Sequence, residues 1–189
     1  NAIVACDIKP NILIVSSSEI YGKPEYNPID ESHPLVPVSP YGESRLAQEK
    51  VCKEYDLPII ISRSFNHTGP NQKETFVIPS FKKQIKEASN GDTIHVGNLD
   101  IVRDFSDVHD IVKAYRLLLE KGIVGEVYNI GSGNGYILRE ILNNLIHASG
   151  KKLTVTIDPE RYRKADIQEQ VCNPEKIKKL IGFEFRKIV

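Results

Sequence analysis

The chain has 189 residues, 40% of them hydrophobic, enough for one substantial core or one core with a small added lobe. Its 25 basic residues balance 25 acidic ones, which argues against a broad nucleic-acid footprint or a basic face for acidic membranes. No apolar run approaches the roughly 20 residues needed to span a bilayer, and the three cysteines lack the spacing of a zinc site or a disulfide framework.

The expectation is therefore a cytoplasmic α/β protein with free thiols and no nucleic-acid or membrane partner. The five histidines show no ligand spacing, so no metal is expected either. The chain contains no methionine and opens inside an apolar segment, so it reads as a piece of a longer protein.

NILIVSSS, 11–18, is a β-branched run ending in small hydroxyl residues, the pattern of a buried parallel strand whose carboxyl end opens into a site. Four prolines mark 22–38 as loop. Ser39 as N-cap and Pro40 at the first helical position predict a helix from Pro40 to about Tyr55. PIIISRSF, 58–65, is a second buried strand, and FVIPSFKKQIKEAS a second helix.

From Thr93 to Phe105 the pattern is extended, with Gly97-Asn98 placed to turn a hairpin. Asp107 can cap the amphipathic segment VHDIVKAYRLLLEK, which Gly122 ends. EVYNIGSGNG is a third strand with a glycine turn, YILREILNNLIHASG a helix ending at Gly150, LTVTID a further strand, and Pro174 opens a short helix. Strands alternating with helices at this spacing indicate a parallel sheet with crossover helices.

Tyr41 and Arg45, four residues apart in the first turns of a helix, share one face. A phenol is a poor acid-base group at neutral pH unless a fixed cation and a positive helix end favour its phenolate. The hydroxyls of Ser16, Ser17 and Ser18 fall at the carboxyl end of a predicted parallel strand, where sites in open α/β sheets lie. One of them could hold a substrate carbonyl while the tyrosine protonates it. IGSGNG fails as a dinucleotide fingerprint, because Tyr136 stands where the last glycine is needed. No phosphate-binding loop is visible in the chain.

SSSEIYG (16–22), SPYGESR (39–45), RSFNHTGP (63–70), RDFSDVHDIVKAY (103–115) and VYNIGSG (127–133) together resemble the extended short-chain dehydrogenase/reductases that act on nucleotide sugars. Within that family, FNHTGP, GNLDIVRDFSDV and PERYRKAD are most similar to segments of reductases of GDP-4-keto-6-deoxyhexoses. The resemblance implies an NAD(P)-dependent, Rossmann-like doubly wound parallel sheet with a small α/β substrate lobe, the lobe drawn from roughly 71–103 and 134–189. It also implies an amino-terminal cofactor-binding half outside this chain.

By the same resemblance, Tyr41 delivers a proton to the C4 oxygen of the sugar and Ser17 holds that oxygen. Arg45 occupies the position of the family lysine that contacts tyrosine and nicotinamide ribose. Asn66 and His67 lie near nicotinamide and sugar, Ser18 and Glu19 line the sugar, Val77 lies near the base, and Arg103 and Arg163 meet phosphate or ribose. The implied reaction is NADP- or NAD-dependent reduction of a GDP-linked 4-keto sugar, in a protein that could form a homodimer. A 4,6-dehydratase or 4-epimerase using Glu19 as base, and a catalytically silent nucleotide-sugar-binding protein, remain alternatives.

Overall fold

The computed structural model describes residues 6, 8, 10–162, 167–186 and 188. Its centre is a parallel three-stranded sheet in the order β1 (Ile12–Ser17), β2 (Ile59–Ser64), β6 (Val127–Ile130). The register pairs Ser17 with Ser64 and Ser64 with Ile130, so the carboxyl ends of all three strands lie together.

Two helices flank β2, and its side chains show on which sides. Arg63 bonds to Glu49 of α1 (Pro40–Cys52), whereas the next residue, Ser64, bonds to Tyr115 of α3 (Val108–Lys121). Successive strand residues point to opposite faces. Helices α1 and α3 therefore cover opposite faces, which is the doubly wound arrangement that the family resemblance implies.

Local chemistry sets the helix ends. Ser39 Oγ accepts from Gly42 N with Pro40 at the first position of α1, and Asp107 accepts from His109 N at the start of α3. On the α3 face, Ile60, Ile111, Ala114, Leu118, Tyr128 and Ile130 form a core that α5 (Glu175–Ile181) completes with Ile177 and Ile181.

A second core belongs to the lobe. It joins Ile78, Phe81 and Ile85 of α2 (Val77–Glu87), Ile94 and Val96 of β4 (Thr93–Val96), and Leu138, Ile141 and Leu142 of α4 (Leu138–Ser149). Between the two cores runs β5 (Val102–Asp107), parallel to β3 (Asn66–Thr68) and β9 (Glu169–Gln170) and antiparallel to β7 (Gly135–Ile137).

The hairpin expected at Gly97-Asn98 does not form. Strand β4 instead pairs in parallel with β8 (Thr154–Ile157), and β5 pairs with β3, β7 and β9. The cause is burial: Leu99 and Ile101 turn into the lobe core together with Ile94 and Val96. Gly97 serves a close approach rather than a tight turn, since a β-carbon there would lie 2.9 Å from the carbonyl oxygen of Arg161.

Candidate active site

The serine run ends β1 and enters a 3-10 turn, Ser18–Tyr21, for which Ser17 is the N-cap. Ser17 Oγ accepts from Glu19 N at 3.2 Å, which leaves its own hydroxyl hydrogen for another partner. Ser18 Oγ donates to Gln170 Oε1 at 3.4 Å, and Gln170 Nε2 returns a bond to the Ser18 carbonyl at 3.1 Å. Glu19 Oε2 accepts from Ser39 Oγ at 3.3 Å, so the turn is tied to the cap of α1.

Tyr41 follows that cap and is 50% exposed; its hydroxyl has no hydrogen-bond partner among the described residues. The Arg45 guanidinium carbon lies 5.0 Å from the Tyr41 ring centroid. Arg45 Nη1 donates to the Val15 carbonyl at 3.3 Å and to Gln48 Oε1 at 3.1 Å. The cation is thus anchored to β1 two residues before Ser17, as well as stacked on the phenol.

Across the carboxyl edge, Ser64 Oγ and Tyr115 Oη are 2.7 Å apart. Burial pushes the Tyr115 phenol up, against the opposing effects of the Ser64 bond and the Arg45 charge and with a small addition from Tyr41. Two residues beyond Ser64 is Asn66, half-buried in β3, followed by exposed His67, whose Nδ1 is 3.1 Å from the Phe65 carbonyl. Ser16 Oγ and Ser106 Oγ are buried without hydrogen-bond partners among the described residues.

Val77 is the first residue of α2, half-buried against the lobe core. Arg103, in β5, donates through Nη1 to the Val102 carbonyl at 2.8 Å and is the register partner of both Gln170 and Tyr136. Arg163 lies outside the described residues. Ser17, Ser18 and Glu19 are thus tied to the α1 cap, and through Gln170 to the strand of Arg103. Val77 stands apart on the lobe.

Sequence reading missed Gln170, the residue that joins the serine turn to β5. It sits in a two-residue strand with no periodicity to reveal it. It also missed the partners of Arg63, although a charged residue within the apolar run IIISRSF signals a buried ion pair. Arg63 is 3% exposed and Glu49 2%, with Nη2 to Oε2 at 2.8 Å. Burial opposes the Arg63 charge, but its bonds to Glu49 and Tyr21 outweigh that and raise its pKa.

A phenol with an unengaged hydroxyl and a fixed guanidinium beside it, both at the carboxyl ends of parallel strands, form a donor set suited to ribose hydroxyls and a carbonyl oxygen. The residues fit the nicotinamide end of a dinucleotide. Among the described residues no group of three or more His, Cys, Asp or Glu could hold a metal ion, and no helix is long and apolar enough to cross a membrane.

The family model of GDP-mannose 4,6 dehydratase matches residues 1–187. The chain is 36% identical to a GDP-6-deoxy-D-mannose reductase of Pseudomonas aeruginosa, over 87% of this chain and 57% of that protein. It is 30% identical to a GDP-6-deoxy-D-talose 4-dehydrogenase of Aggregatibacter actinomycetemcomitans, over 94% of this chain and 60% of that one. Among solved structures, RMD from Pseudomonas aeruginosa complexed with NADPH superposes with a TM-score of 0.90 at 31% identity, covering 98% of this chain and 64% of that one. The chain therefore spans less than two thirds of the length of each of these relatives.

Proposed function

This chain belongs to the GDP-mannose 4,6-dehydratase family of nucleotide-sugar short-chain dehydrogenase/reductases, and from that premise we propose that the protein carrying it reduces a GDP-4-keto-6-deoxyhexose to a GDP-6-deoxyhexose. The observation that carries the reading is Tyr41, with its unengaged hydroxyl, under the Arg45 cation and on the helix tied to the Ser17 turn. A bound NADPH or NADH supplies the hydride.

The chain's own residues supply the rest. Ser17, whose oxygen already accepts from Glu19 N, donates its hydroxyl hydrogen to the C4 oxygen. Tyr41 transfers its phenolic proton to the same oxygen as the C4–H bond forms, so the carbonyl becomes an alcohol and the phenol a phenolate. Arg45 stabilises that developing negative charge through its position over the ring and contacts the nicotinamide ribose. Asn66 and His67 border the nicotinamide and the sugar, and Ser18 and Glu19 line the sugar. Val77 borders the base, while Arg103 and Arg163 take phosphate or ribose.

The GDP preference rests on the two GDP-sugar relatives. A core with a substrate lobe from 71–103 and 134–189 is part of the same reading, although Ile177 and Ile181 of the second segment pack on the central sheet. So is a homodimer, supported by exposed Val51 and Tyr55 along and after α1. The cytoplasmic location is supported by three free cysteines.

A second reading, 4,6-dehydratase or 4-epimerase chemistry, is favoured by Glu19, whose carboxylate is fixed by Ser39 beside Ser17. Incubating the full-length protein separately with GDP-mannose and with a GDP-4-keto-6-deoxyhexose plus NADPH distinguishes the two. Consumption of NADPH with formation of an alcohol product, lost in Tyr41→Phe, supports reduction. A keto product from GDP-mannose, or full turnover by Tyr41→Phe, overturns it.

A further inference from the structure

Helix α1 carries Tyr41, yet its buried residues are only Gly42 and Glu49. Helices α2, α3 and α4 each bury three or more residues, chiefly apolar, and are held by apolar packing. Its apolar packing is thin, with half-buried Leu46 set against Ile20, Tyr21 and Phe65. Its deepest anchor is a carboxylate, Glu49, reaching a guanidinium on the central strand.

Every nitrogen of Arg63 is used. Nε donates to Glu49 Oε1 at 3.1 Å and Nη2 to Glu49 Oε2 at 2.8 Å, a bidentate pair. Nη1 donates to Tyr21 Oη at 3.1 Å and to the Glu31 carbonyl at 3.4 Å. Tyr21 Oη in turn donates to Asn129 Oδ1 at 2.6 Å. Burial holds the Tyr21 phenol well above its usual range, so it stays a neutral donor. In the sheet register Arg63 stands between Ser16 and Asn129, one residue from the Ser17–Ser64 pair.

Resting on the reading of Tyr41 as proton donor and Ser17 as carbonyl clamp, we propose that Arg63 is the positioning residue that fixes these two groups relative to each other. Its two strongest partners lie on the two elements that must be held together. Glu49 is on the same helix as Tyr41, two turns on and about 12 Å along the axis. Tyr21 closes the turn that Ser17 caps. A single planar head on the central strand thus sets both elements from below, and the reacting groups at their upper ends inherit that geometry.

A buried ion pair is weak evidence for stability, because desolvation cancels much of its Coulomb energy. It is better suited to fixing one arrangement, and it anchors the carboxyl half of α1, beyond the contacts that Ser39, Gly42 and Arg45 make nearer the amino end. A lysine in place of Arg63 would offer a point charge without the planar fork, so the two-point grip on Glu49 and the bonds from Nη1 could not all be kept.

The test is steady-state reduction of a GDP-4-keto-6-deoxyhexose with NADPH by full-length Arg63→Lys, Tyr21→Phe and Tyr41→Phe, with NADPH affinity and thermal unfolding measured on each. Arg63→Lys is expected to lower kcat by roughly ten- to a hundredfold, the scale of an ångström-sized misplacement. KM and NADPH affinity stay close to the parent values. Tyr21→Phe, which removes one hydroxyl and leaves the ion pair, is expected to lower kcat by a smaller factor with KM unchanged. If Arg63→Lys does not fold, Tyr21→Phe decides.

Parental kcat in folded Arg63→Lys or Tyr21→Phe, with only a lower unfolding temperature, would overturn the positioning role. That failure is separable from failure of the underlying reading. Loss of activity in Tyr41→Phe alone leaves the proton donor standing without Arg63 as its positioner, whereas an active Tyr41→Phe removes the premise itself.

Discussion

Gly42 of α1 lies against the carbonyl oxygen of Glu19: a β-carbon on Gly42 would stand 2.6 Å from that oxygen and 2.9 Å from Cβ of Pro37. The glycine lets the helix of Tyr41 close onto the serine turn. Alanine would favour the helix itself by about 1 kcal/mol, so any harm from Gly42→Ala must come from the lost approach. We expect kcat to fall roughly tenfold as α1 moves off the turn, with far-ultraviolet dichroism unchanged. Parental kcat in steady-state assays would show that the contact has no bearing on the site.

On the proposed reading Arg45 takes the place of the family lysine, and its bonds argue that the exchange preserves the site. Both come from one nitrogen, Nη1, to the Val15 carbonyl and Gln48 Oε1. No fork is in use, so a single ammonium can replace the contact, and charge over the Tyr41 ring at a partly exposed site is worth about 0.5–1 kcal/mol. Arg45→Lys should therefore change kcat by less than about tenfold. Arg45→Gln, which also removes the positive charge facing the developing phenolate, should lower it by more than tenfold. A large rise on restoring lysine would instead mark the native site as impaired.

The strands and helices of the central sheet were legible because their signals are local. The β-branched runs at 12–17 and 59–64, the Ser39-Pro40 cap and the Asp107 cap each state their element within a few residues. The lobe was harder, since β4 finds its partner in β8 some sixty residues later, and Gly97-Asn98 offers a misleading local turn. At the site, the serine run at a strand end and Tyr41 in the first turn of α1 are placed by equally local signals. The groups that hold them are not: Gln170 is 152 residues from Ser18, and Arg63 meets Glu49 only once α1 has packed on the sheet.

Gln170 joins the serine turn to the strand of Arg103, and it is 3% exposed. In Gln170→Ala the Ser18 carbonyl and hydroxyl lose their buried partners, which costs about 1–3 kcal/mol. Thermal unfolding should shift down accordingly. Because β9 pairs with β5 at Arg103 rather than with the elements bearing Tyr41, the kinetic effect should fall on KM for the nucleotide sugar more than on kcat. A drop in kcat at constant KM would contradict that division.

Asp107 ends β5 and caps α3, accepting from His109 N at 2.8 Å, with Arg186 Nη2 at 3.4 Å. The backbone bond from His109, helped by the His109 side chain and Arg186, holds its carboxyl below the usual carboxylate range. A depressed folded pKa means the charged form stabilises the fold. That contribution is full above the unfolded carboxylate value of about 3.9 and is lost as pH falls through the lower folded one. Asp107→Asn keeps a capping oxygen but not the charge. It should be less stable than the parent by about 0.3–1 kcal/mol at neutral pH, the worth of an exposed charge at a helix amino end. The gap should close in acid. Urea unfolding of both forms across that range measures it, and a gap that persists or widens below the carboxylate range would show that the charge does not act through the helix end.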